Sequence, residues 1–149
     1  MPEATRTTLA ELASPDVVTI DHAATLADAV REMAARRISC LLVLEAGRPA
    51  GILTERDIVC LAHAGFEPGT PVRQVMRAPL VTAAGGLDLR AGHLLLMRHG
   101  IRHLAVLGDH GDLIGIVSES DFRSHLGRDI YERLQGLASV MECRQARFE

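Results

Sequence analysis

The sequence contains no lysine and no tryptophan, and its aromatic residues amount to only 3% of 149 positions. Without lysine there can be no glycine-rich phosphate loop of the kind that ends in Lys. The scarcity of aromatic rings leaves few platforms on which nucleic-acid bases could stack. A net charge of −3 argues the same way, because non-specific affinity for nucleic acid comes mostly from clustered Lys and Arg. Cysteines are few as well. Cys40, Cys60 and Cys143 form an odd set without metal-type spacing and read as free thiols of a reducing cytosol. The first residues, Met1-Pro2-Glu3-Ala4-Thr5-Arg6, lack the basic-then-apolar pattern of a signal peptide. No apolar run approaches the ~20 residues needed to span a bilayer, so a soluble, cytoplasmic protein without membrane contact is expected.

What the chain has is a phrase that it repeats. Gly51-Ile52-Leu53-Thr54-Glu55-Arg56-Asp57-Ile58 returns as Gly115-Ile116-Val117-Ser118-Glu119-Ser120-Asp121-Phe122. Each copy is a short apolar strand that stops at a hydroxyl residue, with Asp three positions on, the pattern of a strand running into a capped helix. The repeat extends upstream: Val17-Val18-Thr19 maps onto Leu80-Val81-Thr82, and the run 38–43 onto 101–106, both at an offset of 63. The final phrase sits at an offset of 64, because the turn Gly108-Asp109-His110-Gly111-Asp112 is one residue longer than Glu45-Ala46-Gly47-Arg48. Turns tolerate such a length change and paired strands do not, so one unit has been duplicated.

Each unit reads as strand, helix, strand, strand, helix. In the first, residues 17–20 are β-branched, and 25–36 carry Leu26, Val30 and Met33 at near-helical spacing behind a Thr25 cap. Apolar strands follow at 38–44 and 50–53 around a turn on Gly47-Arg48-Pro49, and the helix opened by Thr54 is expected to turn Ile58, Val59 and Leu61 inward. In the second, the elements fall at 80–82, 87–98, 104–107 and 113–117, followed by the helix after Ser118. Beyond it Ile130, Leu134, Leu137 and Met141 recur at helical spacing, which predicts one more amphipathic helix whose apolar stripe needs a partner. The expected division is an N-terminal tail over 1–13, repeats over 14–71 and 72–126, and a C-terminal helix and tail over 127–149.

A duplicated unit of this order, ending in Gly-apolar-apolar-Thr/Ser-x-x-Asp, resembles a tandem pair of CBS domains, the regulatory module named after cystathionine β-synthase. Val75-Met76 opening the second unit and the run from Arg98 to Leu104 support the likeness. A departure is Ala105, with Leu42 in the first copy, where many family members carry Pro. The resemblance implies an α+β fold of two β-α-β-β-α repeats packed about a pseudo-twofold axis, with two clefts for adenosine compounds such as AMP, ADP, ATP or S-adenosylmethionine. Carried over position by position, one cleft takes Ser118 and Asp121, with Arg102 and His103 toward phosphate and Thr19, Ile38, Ser39 and Cys40 around the base. The other takes Thr54, Asp57 and Thr82, with Ile101 to His103 as wall; Ser39 and Cys40 stand there where the first cleft has Arg102 and His103, and only Arg56 would compensate. The physical reading agrees. A hydroxyl at a helix N-terminus suits a phosphate, and a carboxylate suits the two hydroxyls of a ribose. Unequal clefts follow, the Asp121 one being better for a phosphorylated ligand.

The same residues also read as plain helix caps, the hydroxyl bonding the third amide and the Asp reaching back. Both roles are compatible. His99 and His103, four apart, are separated by Gly100 and a β-branched Ile101, so they do not stack on one helical face as metal ligands; His93 and His110, like them, read as surface or phosphate-facing. No nucleophile-base-acid set stands out, and no enzyme, metal or obligatory cofactor is expected. The implied role is a regulatory module with an adenine nucleotide as its small-molecule ligand, homodimeric through the helices after Thr54 and Ser118, and read by an effector or output-domain protein. The alternative is a structural dimerisation module without a nucleotide.

Overall fold

The computed structural model describes residues 7–127, 133 and 135–137. Two compact units emerge, one formed by residues 16–80 and the other by 7–15 together with the described residues from 81 onward.

In the first unit, β1 (Thr19–Asp21) leads into α2 (Leu26–Arg36), preceded in the chain by a short α1 (Leu9–Leu12) that belongs to the other unit. Helix α2 starts where Thr25 and Asp28 bond each other's backbone, Thr25 N–H donating to Asp28 Oδ2 at 3.0 Å and Asp28 N–H to Thr25 Oγ1 at 3.2 Å. Its buried stripe is Leu26, Ala29 and Met33. β2 (Cys40–Glu45) and β3 (Arg48–Thr54) complete a three-stranded sheet in the order β1-β2-β3, parallel then antiparallel. The hairpin turn lies at Ala46-Gly47, both with positive φ, so Arg48 and Pro49 are strand residues and not turn residues. α3 (Glu55–Ala64) closes the repeat. Ile58 and Leu61 pack on the core as expected, but Val59 points outward, 63% exposed.

The second unit repeats this order with β4 (Thr82–Ala84), α4 (Leu89–His99), β5 (His103–Leu107), β6 (Leu113–Ser118) and α5 (Glu119–Leu126), its sheet running β4-β5-β6. Asp88 caps α4, accepting the Ala91 N–H at 2.8 Å. His93, read from sequence as a surface or phosphate-facing residue, is fully buried on the inner stripe of α4 with Leu89, Gly92 and Leu96. Its ring meets Phe122 edge-on, centroids 5.4 Å apart.

The N-terminal segment differs most from the sequence expectation. Residues 7–15 are not a tail: Leu9 is fully buried in the core of the second unit among Leu89, Leu96, Leu104, Val106, Val117 and Phe122. Ser14 pairs with Ile116, each amide donating to the other's carbonyl at 2.9 and 3.0 Å. The segment before the second repeat does the same for the first unit. Val72, in a 3-10 turn over Val72–Gln74, is fully buried in the first core, and Arg77 pairs with Ile52. Val75 and Met76, taken from sequence as opening the second unit, pack on the first. Of the expected C-terminal helix, Leu137 is helical and exposed, while Ile130, Leu134 and Met141 lie outside the described residues.

Candidate functional site

Both copies of the repeated phrase fold into the strand-to-helix turn that the spacing predicts, and both form a capping box. At the first, Thr54 N–H donates to Asp57 Oδ2 at 3.0 Å and Asp57 N–H to Thr54 Oγ1 at 3.2 Å. At the second, Ser118 N–H and the Ser118 hydroxyl both donate to Asp121 Oδ2, at 2.8 and 2.9 Å, and Asp121 N–H donates to Ser118 Oγ at 3.3 Å. The cap role is therefore real in both. It has a consequence for anion binding: the third helical amide is used by the cap, and the first is taken by the carbonyl just ahead of the middle strand, Glu55 N–H to Ser39 at 2.8 Å and Glu119 N–H to Arg102 at 2.8 Å. Fewer amides remain for a phosphate than the helix N-terminus suggests from sequence.

Those bonds also explain the grouping of side chains. They hold Ser39 against the start of α3 and Arg102 against the start of α5, and strand pairing sets Cys40 opposite Thr54 and His103 opposite Ser118. The second unit thus gathers Ser118, Asp121, Arg102 and His103, and the first gathers Thr54, Asp57, Ser39 and Cys40. Arg102 is exposed, its Nε 3.8 Å from Glu119 Oε2, so the cation stands at the mouth of α5. Ile38 and Ile101 pack on their respective cores at the ends of α2 and α4. Thr19 and Thr82 are exposed at the starts of β1 and β4, paired with Leu42 and Ala105. Leu42 and Ala105 are buried.

The two turns are not equivalent. Arg77 donates from Nε to Asp57 Oδ1 at 2.8 Å, and the Asp57 side chain is 9% exposed. Sequence reasoning missed Arg77. Its signal was present, since Arg77 stands at the same offset of 63 from Ser14 that relates the two repeats, but the sequence reading assigns Arg77 to the start of the second repeat and gives it no site role. Asp121 is half-buried, and its Oδ1 accepts no hydrogen bond among the described residues. Cys40 is pushed up to about 11 by burial, so it is a neutral thiol beside the first turn, unsuited to an anionic or nucleophilic role. Cys60 is exposed on α3, and Cys143 lies outside the described residues. Among the described residues no three His, Cys, Asp or Glu side chains are placed to hold a metal ion, and no helix is long and apolar enough to cross a membrane.

Residues 9–63 and 72–128 each match the CBS domain. The chain belongs to the CBS domain family. It is 33% identical over 114 residues to an uncharacterized protein of Methanopyrus kandleri, a match that covers 74% of this chain and 58% of that one, so it spans less than two thirds of that relative. It is also 33% identical over 106 residues to a CBS domain-containing protein of Bacillus subtilis, covering 70% of this chain and 75% of the other. Among solved structures, a conserved CBS domain protein of Thermoplasma acidophilum is similar with a TM-score of 0.80 at 25% identity, over 91% of this chain and 77% of that one. A CBS domain protein from Pyrobaculum aerophilum, complexed with AMP, is similar with a TM-score of 0.72 at 23% identity, over 87% of this chain and 98% of the other, a likeness of fold. Each matched CBS domain contains one of the two turns, at Thr54 and at Ser118, which are therefore corresponding parts of a tandem regulatory pair.

Proposed function

We propose that the chain is a sensor of an adenosine-containing nucleotide and that the second turn carries the ligand. The observation behind this reading is the free Oδ1 of Asp121 beside a hydroxyl cap, a cation and an imidazole, Ser118, Arg102 and His103, on one short stretch of surface. A carboxylate with an open oxygen accepts from the vicinal hydroxyls of a ribose, which a phosphate cannot offer. Arg102 suits the phosphate, and the Ser118 hydroxyl joins it only by turning from Asp121 Oδ2, so sugar and phosphate ends are told apart by charge. Thr19, Ile38, Ser39 and Cys40 complete this set by resemblance, as Thr54, Asp57, Thr82 and Ile101 form the other. The AMP complex of the Pyrobaculum protein supports a fold able to hold such a ligand. A ligand of this kind regulates only through its different affinity for two arrangements of the protein, which a homodimeric partner copy or an effector would then read. Val59, exposed on α3, supports a partner on the motif helices.

Thermal shift with AMP, ADP, ATP, S-adenosylmethionine and NAD tests the reading. At a hundredfold excess over its Kd a ligand adds ~2.7 kcal/mol, which raises the melting temperature by roughly 5–10 °C for a chain of this size. Asp121→Ala should remove that rise while lowering the unliganded melting temperature only slightly. A flat response to all five compounds would favour the structural dimerisation module instead.

A further inference from the structure

We infer that Arg77 closes the first turn to a nucleoside, so that each chain takes one nucleotide, at Asp121. This rests on the nucleotide reading and adds to it a residue that selects between the two copies. Both oxygens of Asp57 are engaged: Oδ2 accepts the Thr54 N–H at 3.0 Å and Oδ1 the Arg77 Nε–H at 2.8 Å. A ribose diol would have to displace a charge-assisted bond from a carboxylate that is nearly buried.

The Arg77 side chain is 54% exposed, and what fixes its position is the main chain. Arg77 is held by two main-chain bonds to Ile52, its N–H donating at 2.9 Å and its carbonyl accepting at 3.1 Å. Gly51, the first residue of the repeated phrase, lets that chain approach so closely that a Cβ there would stand 2.7 Å from the Arg77 carbonyl oxygen and 2.8 Å from Met76 Sδ. Arg77 is thus built onto β3 at Ile52, five residues ahead of the carboxylate it meets. The second turn has the same construction with a different residue. Ser14 pairs with Ile116 as Arg77 pairs with Ile52, and Gly115 admits it at 2.6 Å in the same way. Serine brings no cation, and Asp121 Oδ1 accepts nothing among the described residues. One substitution at equivalent places in the duplicated unit therefore separates an open carboxylate from a closed one.

Isothermal titration of the full chain with AMP, and with ATP in a parallel series, tests this. The wild type should bind one nucleotide per chain, and Asp121→Asn should abolish that binding. Arg77→Met should admit a second nucleotide, and the double variant R77M/D121N should keep one, bound at least about tenfold more tightly than any residual binding by D121N alone. Arg77→Gln gives a second route to the same readout, and thermal melts establish that each variant is folded; the main-chain pairing with Ile52 is open to either residue. Two nucleotides on the wild type, one that survives D121N, a stoichiometry that stays at one in both Arg77 variants, or weaker binding in them, each overturns the inference while leaving the nucleotide reading in place. Failure of the wild type and of both Arg77 variants to bind either nucleotide withdraws the reading, and the inference falls with it.

Discussion

His93 is a fully buried titratable side chain. Burial on α4 holds its pKa below the ordinary imidazole value, with the Glu119 carboxylate pulling in the opposite direction. The ring is therefore neutral in the folded protein around neutral pH. In the unfolded chain it protonates near 6.5, so its contribution is fully present above that pH and is lost as pH falls below it toward the lower folded value. Urea midpoints measured from pH 7.5 down to 5 should fall for the wild type and fall less for His93→Leu. Equal slopes would mean that His93 is not the titrating group. His93 shares the spacing of Leu89 and Leu96 on the buried face of α4, whereas His99 lies at the exposed end of the same helix.

At the scale of elements, most of the fold was legible. Thr25, Thr54 and Ser118 cap helices where the Thr/Ser-x-x-Asp spacing places them, because a capping box is a local pattern of one turn. The strands were displaced by a residue or two, and Arg48-Pro49 moved from turn to strand because Ala46 and Gly47 supply the positive φ that the tight hairpin needs. The glycine that opens each phrase was legible as a pattern but not as a cause. Its cause is a neighbouring chain: a Cβ at Gly115 would lie 2.6 Å from the Ser14 carbonyl oxygen and 2.9 Å from Ala13 Cβ. Gly115→Ala should cost about 1–3 kcal/mol in a chemical denaturation series, the usual range for overpacking a close contact. An unchanged midpoint would show that the 13–14 segment is not seated on β6.

For the molecule as a whole, the consequence is that each unit is completed by the segment that precedes the other repeat in sequence. Residues 7–15 supply Leu9 to the core of the second, and residues 72–77 supply Val72 and Met76 to the first. Removing residues 1–15 should therefore spare the repeat next to the cut and weaken the one that begins some 65 residues later. Loss of a fully buried leucine alone costs about 2–5 kcal/mol. Hydrogen exchange on the truncated chain should show protection retained over 40–54 and reduced over 103–118. Loss confined to the first repeat would refute this assignment of the segment.

The sequence alone determined the duplication, the order of elements, the capped turns and the family resemblance, because all of these are written in spacings of a few residues or in the comparison of one half with the other. Tertiary structure decided which chain segment completes which unit, that His93 is interior, and that Arg77 sits on Asp57 while Ser14 leaves Asp121 open. Arg77 and Asp57 are twenty residues apart, and Ser14 and Ile116 are further still. Contacts of that separation have no period in the chain, and they exist only once the strands have paired.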